Sequence, residues 1–254
     1  MTPLADNLAR VEEAIAAACR RAGRNRAEIE LMAVSKTFPA SSIVEAAGLG
    51  LNLFGENRVQ EFAGKASQLD PLRTGPPAQA PQVNANSAAI PIRIHLIGHL
   101  QSNKAARAAE LFDGIDSVDS LRLAERLNDA AGKLGKRLPI LIEVKLSPEE
   151  TKAGLDPESA DAAELLERLP DLARLEARGL MTIAPWGAPD EVTRACFREL
   201  RRLRDRWAAS YSRLSLDVLS MGMSGDFTLA IEEGATRIRI GTALFGKRPS
   251  PLTG

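Results

Sequence analysis

Apolar residues recur along this chain in two alternating patterns, short continuous runs and stretches of helical spacing. Residues 4–22 carry apolar side chains three and four positions apart and end at Gly23, which predicts an opening helix. Short apolar runs follow, bounded by Gly, Pro or polar residues, and such runs are typical of buried strands. The predicted strands are 31–36, 51–54, 92–97, 114–118, 139–144, 175–183, 216–219 and 237–240.

Segments with helical periodicity separate these strands. Five predicted helices span 57–69, 102–111, 157–168, 190–207 and 224–233. Two more are predicted by their starts: one begins at Ser41, and one has Ser120 as its N-cap. Eight strands that alternate with helices in one domain are typical of the (β/α)8 or TIM-type barrel, an α/β fold. We therefore predict a (β/α)8 barrel with an extra N-terminal helix. A doubly wound open sheet is the alternative.

Residues 70–91 interrupt this regular pattern. They hold five of the fifteen prolines and show no apolar periodicity, which indicates an irregular connection. Because this connection leads into the third strand, it lies on the face of the barrel opposite the strand C-termini, where active sites of this fold are built. We expect residues 1–254 to form one domain, with 70–91 as a loop remote from the site.

Charge and composition narrow the range of partners. Lys and Arg total 33 and Asp and Glu total 33, so nothing favours nucleic acid or a membrane surface as a partner. The chain has no apolar run long enough for a membrane span and no secretory leader, which predicts a cytoplasmic protein. His95 and His99 are four residues apart but have no fitting carboxylate nearby in sequence, so no metal site is expected.

Candidate chemistry begins at Lys36, at the C-terminal tip of the first predicted strand. An apolar setting favours the neutral form of a lysine, and a neutral amine attacks an aldehyde to form a Schiff base. The ordinary alternative is that Lys36 extends its ammonium group into solvent. Which of these two roles Lys36 has depends on the other residues at the same face of the barrel.

Two loops at that face suggest an anion site. Gly222 and Ser224 follow the seventh strand, and Gly241 and Thr242 follow the eighth, where barrels of this class commonly hold a phosphate. Taken singly, Ser224 could be only a helix N-cap and Gly241 only a turn residue. Together with a lysine at a strand tip, they indicate an aldehyde that carries a phosphate ester. Pyridoxal 5'-phosphate (PLP) fits that description.

The eighth predicted strand adds two arginines. Alternation places Arg237 and Arg239 on one face, which we expect to be the barrel interior. Arg239 lies nearer the site, where a pyridine nitrogen would lie, and a guanidinium only donates hydrogen bonds. It would leave that nitrogen unprotonated and make the cofactor a poor electron sink. Arg237 lies deeper and needs a carboxylate partner, for which Glu143 and Glu176 are candidates.

These motifs, taken together, closely resemble the pyridoxal phosphate homeostasis proteins of the YggS/PROSC type over essentially the whole chain. The motifs are 33–37, 54–57, 95–104, 178–181, 221–224 and 239–242. The resemblance implies a barrel related to the N-terminal domain of alanine racemase, with PLP as a Schiff base on Lys36. The implied cofactor-binding residues are Lys36, Asn57, Met223, Ser224, Arg239, Gly241 and Thr242. Two positions depart from the family, which usually has Trp where Ile94 stands and Asn where Lys145 stands.

Two functions are compatible with these residues. The first is a protein without enzymatic activity that acts in intracellular PLP homeostasis and hands the cofactor to apo PLP-dependent enzymes. The second is a PLP-dependent amino-acid racemase or a related enzyme, which needs an acid/base group on both faces of its substrate. In the resembling racemases a tyrosine from an added C-terminal β-domain supplies the second group. The one tyrosine here, Tyr211, precedes the seventh strand, and eight residues follow Gly246. We therefore expect a PLP carrier without catalytic residues, and a monomer.

Overall fold

The computed structural model of the protein describes residues 2–73, 91–146 and 153–247. Within them, eight parallel strands form one closed barrel in chain order, from β1 round to β8 and back to β1. The strands are β1 Glu30–Val34, β2 Leu53–Glu56, β3 Arg93–Leu96, β4 Gly114–Val118, β5 Leu138–Glu143, β6 Leu175–Met181, β7 Val218–Ser220 and β8 Arg237–Ile240. The predicted barrel is confirmed, and closure of β8 on β1 excludes the open sheet.

Helices cover the outside of the barrel. They are α1 Pro3–Ala22, α2 Ala40–Gly48, α3 Val59–Ala63, α4 Asp70–Arg73, α5 Ala105–Leu111, α6 Leu121–Lys133, α7 Ala160–Arg168, α8 Asp190–Ser210, α9 Phe227–Glu232 and α10 Thr242–Phe245. In the three described ranges, none of them combines the length and apolar character that a membrane crossing needs. Most of the predicted 70–91 loop, residues 74–90, lies outside the described residues.

The main hydrophobic layer lies between the strands and the helices. Phe54, Ile94 and Ile115 belong to this layer and are fully buried. Burying a side chain of this size stabilises a fold by roughly 1.5–3 kcal/mol. Ile94, one of the two departures from the family pattern, therefore contributes to the core between strands and helices.

The N-terminal helix α1 braces the site end of the last barrel unit. Thr2 caps its start and Gly23, with φ +64°, ends it in the left-handed conformation. Its apolar stripe is buried, as the helical spacing predicts, and it packs against α9 and α10. Asn7 Nδ2 also donates to the Leu244 carbonyl at 2.7 Å. The extra helix thus fixes α10, the element that begins with Thr242.

Three boundaries differ from the prediction at places that matter for the site. Strand β1 ends at Val34, so Lys36 lies in the turn after the strand and not on its tip. Strand β2 continues through Gly55 and Glu56, past the predicted end at residue 54, because Lys65 and Ser35 are partners of one oxygen of the buried Glu56 carboxylate. Helix α9 starts at Phe227, so Ser224 is not its N-cap.

The partner predicted for Arg237 is wrong. The Arg237 guanidinium donates to Asp116 Oδ2 at 2.9 Å and to Glu30 Oε2 at 2.8 Å, not to Glu143 or Glu176. Asp116 projects from β4 at the same depth of the barrel, whereas Glu143 ends β5 nearer the site and Glu176 pairs with Arg137 and Arg178. His95 Nδ1 donates to the other oxygen of Asp116 at 2.8 Å, which completes a buried network across the barrel interior.

Candidate functional site

A cavity of about 450 Å³ opens where the strands end at their C-termini. All seven predicted site residues line it: Lys36, Asn57, Met223, Ser224, Arg239, Gly241 and Thr242. They come from the loops after β1, β2, β7 and β8 and from β8 itself. Positions distant in sequence therefore converge in one place. No group of three or more metal-ligating side chains is found in the described parts of the chain.

The turn that carries Lys36 is held from several sides. The Ser35 N–H donates to the Gly55 carbonyl at 3.0 Å, and the Phe38 N–H donates to the Ser35 carbonyl at 3.1 Å. Thr37, next to Lys36, has φ +70°, and its N–H donates to the Glu61 carboxylate. A β-branched residue in this region is strained and needs such support. The backbone at Lys36 is therefore fixed in one conformation.

A buried ion pair lies beneath this turn and supports it. Lys65 Nζ lies 2.8 Å from Glu56 Oε1 and donates to the carbonyls of Ser35 at 3.3 Å and Phe38 at 2.9 Å. Ser35 Oγ donates to the same Glu56 oxygen at 2.6 Å. Burial raises the pKa of Glu56, and the Lys65 ammonium group opposes that rise. Sequence reasoning missed this pair because it ended the second strand at residue 54, before Glu56.

The loops after β7 and β8 meet through Ser224. Its hydroxyl oxygen accepts from the N–H groups of Gly241 at 3.3 Å and Ala243 at 3.2 Å. Gly222 has φ +92°, and a Cβ there would come within 2.6 Å of the Ala230 side chain. Only glycine fits both conditions, so Gly222 sets the path of the loop that carries Met223 and Ser224.

Arg239 forms part of the floor of the cavity and is almost completely buried. One of its terminal nitrogens donates to the Ser220 carbonyl at 2.7 Å and hydroxyl at 2.9 Å, and the other donates to the Thr182 carbonyl at 2.8 Å. Burial lowers the pKa of this guanidinium, an effect that nearby carboxylates including Asp116 oppose. The group remains a cation held in a fixed plane.

Asn57 closes the cavity on the side of β2 and β3. It lies against Gly98, where a Cβ would come within 2.3 Å of the Asn57 carbonyl oxygen. The Gly98 carbonyl in turn accepts from Ser117 Oγ at 2.8 Å. Asn57 and Ile97 also separate the main cavity from a smaller one beside it, which is lined by Glu143 and Lys145 among others.

Two residues of the site region were not found by sequence reasoning. Trp186 lines the main cavity from the loop after β6 and is 87% exposed. A lone aromatic residue in a loop between a strand and a helix was the available signal for it. Glu143 was considered only as a partner for Arg237, although its position at the C-terminal end of β5 already placed it at the active face.

Comparison with known proteins places this geometry in a family. The profile of the alanine racemase N-terminal domain matches residues 7–249. The chain is 40% identical to the pyridoxal phosphate homeostasis protein of Pseudomonas aeruginosa over 248 residues, 98% of this chain and 97% of the relative. It is also 40% identical to the protein of that name from Escherichia coli K12 over 250 residues, 98% of each chain.

Solved structures agree with the sequence comparison. PipY of Synechococcus elongatus, solved with PLP bound, superposes with a TM-score of 0.79 at 41% identity, covering 96% of this chain and 100% of PipY. An alanine racemase of Clostridium difficile superposes with a TM-score of 0.67 at 15% identity, covering 97% of this chain and 58% of the racemase, which shows a common fold. The chain therefore belongs to the alanine racemase N-terminal domain family and, within it, to the pyridoxal phosphate homeostasis proteins.

Proposed function

We propose that this protein binds PLP and acts in PLP homeostasis, holding the cofactor as a Schiff base on Lys36. The observation that carries the proposal is the convergence of Lys36, Arg239 and the loops after β7 and β8 on one cavity. The names of the relatives and the PLP bound to PipY support the identity of the cofactor. When bound, PLP supplies an aldehyde carbon open to attack by an amine.

The residues present fit a phosphorylated pyridine aldehyde. Ser224 and Thr242 bring hydroxyl groups to a place where two loops meet, and the 3.2–3.3 Å contacts of Ser224 show N–H donors at the same place. Such donors suit the oxygens of a phosphate. Arg239 offers a fixed cationic donor at the cavity floor, and Lys36 offers a primary amine from a rigid turn. Asn57 and Met223 contribute further walls.

The same residues favour carriage over turnover. The Arg239 guanidinium can only donate hydrogen bonds. A pyridine nitrogen that faces it would therefore accept a hydrogen bond and stay unprotonated, which makes the ring a poor electron sink. Asp226 lines the cavity too, but its carboxylate accepts from the Met223 N–H in the loop proposed to bind phosphate. Neither residue supplies a base opposite Lys36, which a racemase would need. The relatives, moreover, carry the names of homeostasis proteins.

Partners and assembly are part of the same proposal. We propose that residues 1–254 act as one PLP-binding domain, as a monomer, and that apo PLP-dependent enzymes receive the cofactor. Mixing the PLP-loaded protein with an apo-enzyme and timing the return of its activity against free PLP tests the transfer. Recovery slower than with free PLP at every protein concentration would restrict the role to storage.

An absorption titration tests the attachment of PLP. Wild-type protein titrated with PLP should develop a visible band typical of a protein-bound Schiff base, and Lys36→Ala should lose it while keeping its far-UV circular dichroism. Lys145→Asn, which removes the other described lysine beside the cavities, is the matched control and should keep the band. Loss of the band in the Lys145 variant but not in the Lys36 variant would contradict the proposal.

A further inference from the structure

A smaller cavity of about 180 Å³ adjoins the main cavity at the ends of β3 and β5. The two cavities share Asn57, Ile97 and Ile183 as walls. The smaller one exceeds the space of a single water molecule, about 30 Å³ in the liquid. The proposed function leaves it unused, and three of its polar side chains, Glu143, His99 and Lys145, do not line the main cavity.

Glu143 is the carboxylate of this side cavity. It ends β5, is 5% exposed, and its Oε2 has no hydrogen-bond partner among the residues that the structure describes. A buried carboxylate oxygen without a donor is costly, and a ligand that supplies a donor would offset that cost. Burial raises the pKa of Glu143 to about 7; the Asp119 carboxylate adds to the rise and the Arg239 guanidinium opposes it. Glu143 is therefore poised to gain from a cation.

Two basic side chains also line the side cavity. Lys145 follows β5 and His99 follows β3, and both line the cavity. His99 Nδ1 lies 3.2 Å from Asp119 Oδ2, so that carboxylate is already engaged. Ile97 and Leu146 add apolar walls. The cavity thus combines a carboxylate, a lysine and apolar side chains.

We propose that the side cavity is a subsite for a small α-amino acid, with Glu143 accepting hydrogen bonds from its ammonium group and Lys145 facing its carboxylate. A small zwitterion has a charged group for each of Glu143 and Lys145 and an apolar part for the apolar walls. A simple anion or cation would pair with only one of the two charged side chains. The biological role of this subsite rests on the proposed function, PLP binding in the main cavity. An amino acid held in the subsite would be separated from the main cavity by the shared walls Asn57, Ile97 and Ile183.

The test compares three probes on full-length protein free of PLP, by calorimetry or saturation-transfer NMR at pH 8. The probes are L-alanine, ethylammonium, which has only the amine, and propionate, which has only the carboxylate. L-Alanine should bind at least about tenfold more tightly than either half. Glu143→Gln should weaken L-alanine and ethylammonium about tenfold or more, the loss expected for a hydrogen bond to a charged group, and leave propionate unchanged.

Three further variants complete the design. Lys145→Asn should weaken L-alanine and propionate but not ethylammonium, and Glu158→Gln, on the exposed surface, should change nothing. Equal L-alanine binding by wild type and Glu143→Gln, or no L-alanine binding by wild type, would overturn the inference. Lys36→Ala should retain L-alanine binding, because the subsite does not need that lysine. Failure of the subsite is thus distinguishable from failure of PLP attachment, which the absorption titration reports.

Discussion

Asp116 and Glu143 are both buried carboxylates, on the neighbouring strands β4 and β5, yet their surroundings are opposite. Asp116 lies between His95 at 2.8 Å and Arg237 at 2.9 Å, and the Arg237 guanidinium together with the hydrogen bond from the His95 ring lowers its pKa to about 2 against the effect of burial. Glu143 has an oxygen without a partner among the described residues, and burial raises its pKa to about 7.

The difference separates the part of the barrel that holds the fold from the part that serves a ligand. The Asp116 network is closed: Arg237 continues it to Glu30, which Arg93 pairs at 2.7 Å near the surface. Every charge there has a partner, so the network needs nothing from outside. The Glu143 carboxylate, nearer the strand C-termini, is incomplete. We infer that the Glu143 oxygen without a partner among the described residues marks a place at the strand C-termini where a small molecule binds.

The largest effect should come from breaking the closed network. Asp116→Ala leaves Arg237 with one carboxylate partner in a buried position, and removing one member of a buried ion pair typically costs about 3–5 kcal/mol. Urea unfolding near neutral pH measures the loss. Glu158→Ala, whose side chain is 80% exposed, is the control and should change stability by less than about 0.5 kcal/mol. A loss below about 1 kcal/mol for Asp116→Ala would mean that the network does not hold the fold.

Replacing Glu143, the carboxylate with an oxygen unpartnered in the described part of the chain, should raise stability near neutral pH, whereas replacing Asp116 lowers it. The pKa of Glu143 rises from 4.5 to about 7 on folding, so the native protein keeps a proton that the unfolded chain loses across that window. Stability should therefore fall as pH rises from about 4.5 to 7, and Glu143→Gln should remove this fall. At pH 8 the variant should be more stable than wild type by about 3 kcal/mol. Lower stability of the variant at pH 8 would show that Glu143 has a stabilising partner.

The dependence of stability on pH below about 5 distinguishes Asp116 from Glu143 a second time. The pKa of Asp116 falls from 3.8 to about 2 on folding, so this carboxylate contributes stability that is present above pH 4 and is lost as pH falls toward 2. The contribution is about 2 kcal/mol. Unfolding free energies from pH 5 to pH 2 should show it in wild type, and Asp116→Asn should lack it. An identical acid limb in both proteins would contradict the assignment.

The smallest effect concerns the loops proposed to hold the phosphate. Ser224→Ala removes a hydroxyl group that joins Gly241 and Ala243, and PLP affinity should fall about tenfold, or about 1.4 kcal/mol. Pyridoxal, which lacks the phosphate, should bind the variant about as well as it binds wild type. Equal losses for the two ligands would place the phosphate elsewhere. Thr242→Ala is the companion variant, because Thr242 lines the same end of the cavity.

Much of the fold could be read from the sequence because apolar periodicity specifies it. The eight strands alternate with helices as predicted, and β4 and β8 have the predicted bounds. The seven predicted site residues share one cavity because strand C-termini and the loops after them meet at one face of a barrel. Site residues whose positions follow from the order of strands and loops could therefore be predicted from the sequence.

What the sequence left open depends on contacts between residues distant in the chain. Arg237 was known to need a carboxylate, but the depth at which Asp116 meets it follows from the register of the barrel. The predicted second strand stops before Glu56, because no local signal shows that Lys65 pairs with that carboxylate. Glu143 could be placed at the active face, but its lack of a partner is a property of its packed surroundings.

The central claim is that Lys36 carries PLP, and borohydride reduction followed by peptide mass spectrometry tests it most directly. The reaction fixes a Schiff base as a stable bond, so the modified residue can be read from the digest. Protein reduced in the presence of one equivalent of PLP should carry the added mass on the peptide that contains Lys36, and Lys36→Ala should carry none. Modification of Lys145 instead, or PLP bound by the wild type with no reducible bond at all, would contradict the account.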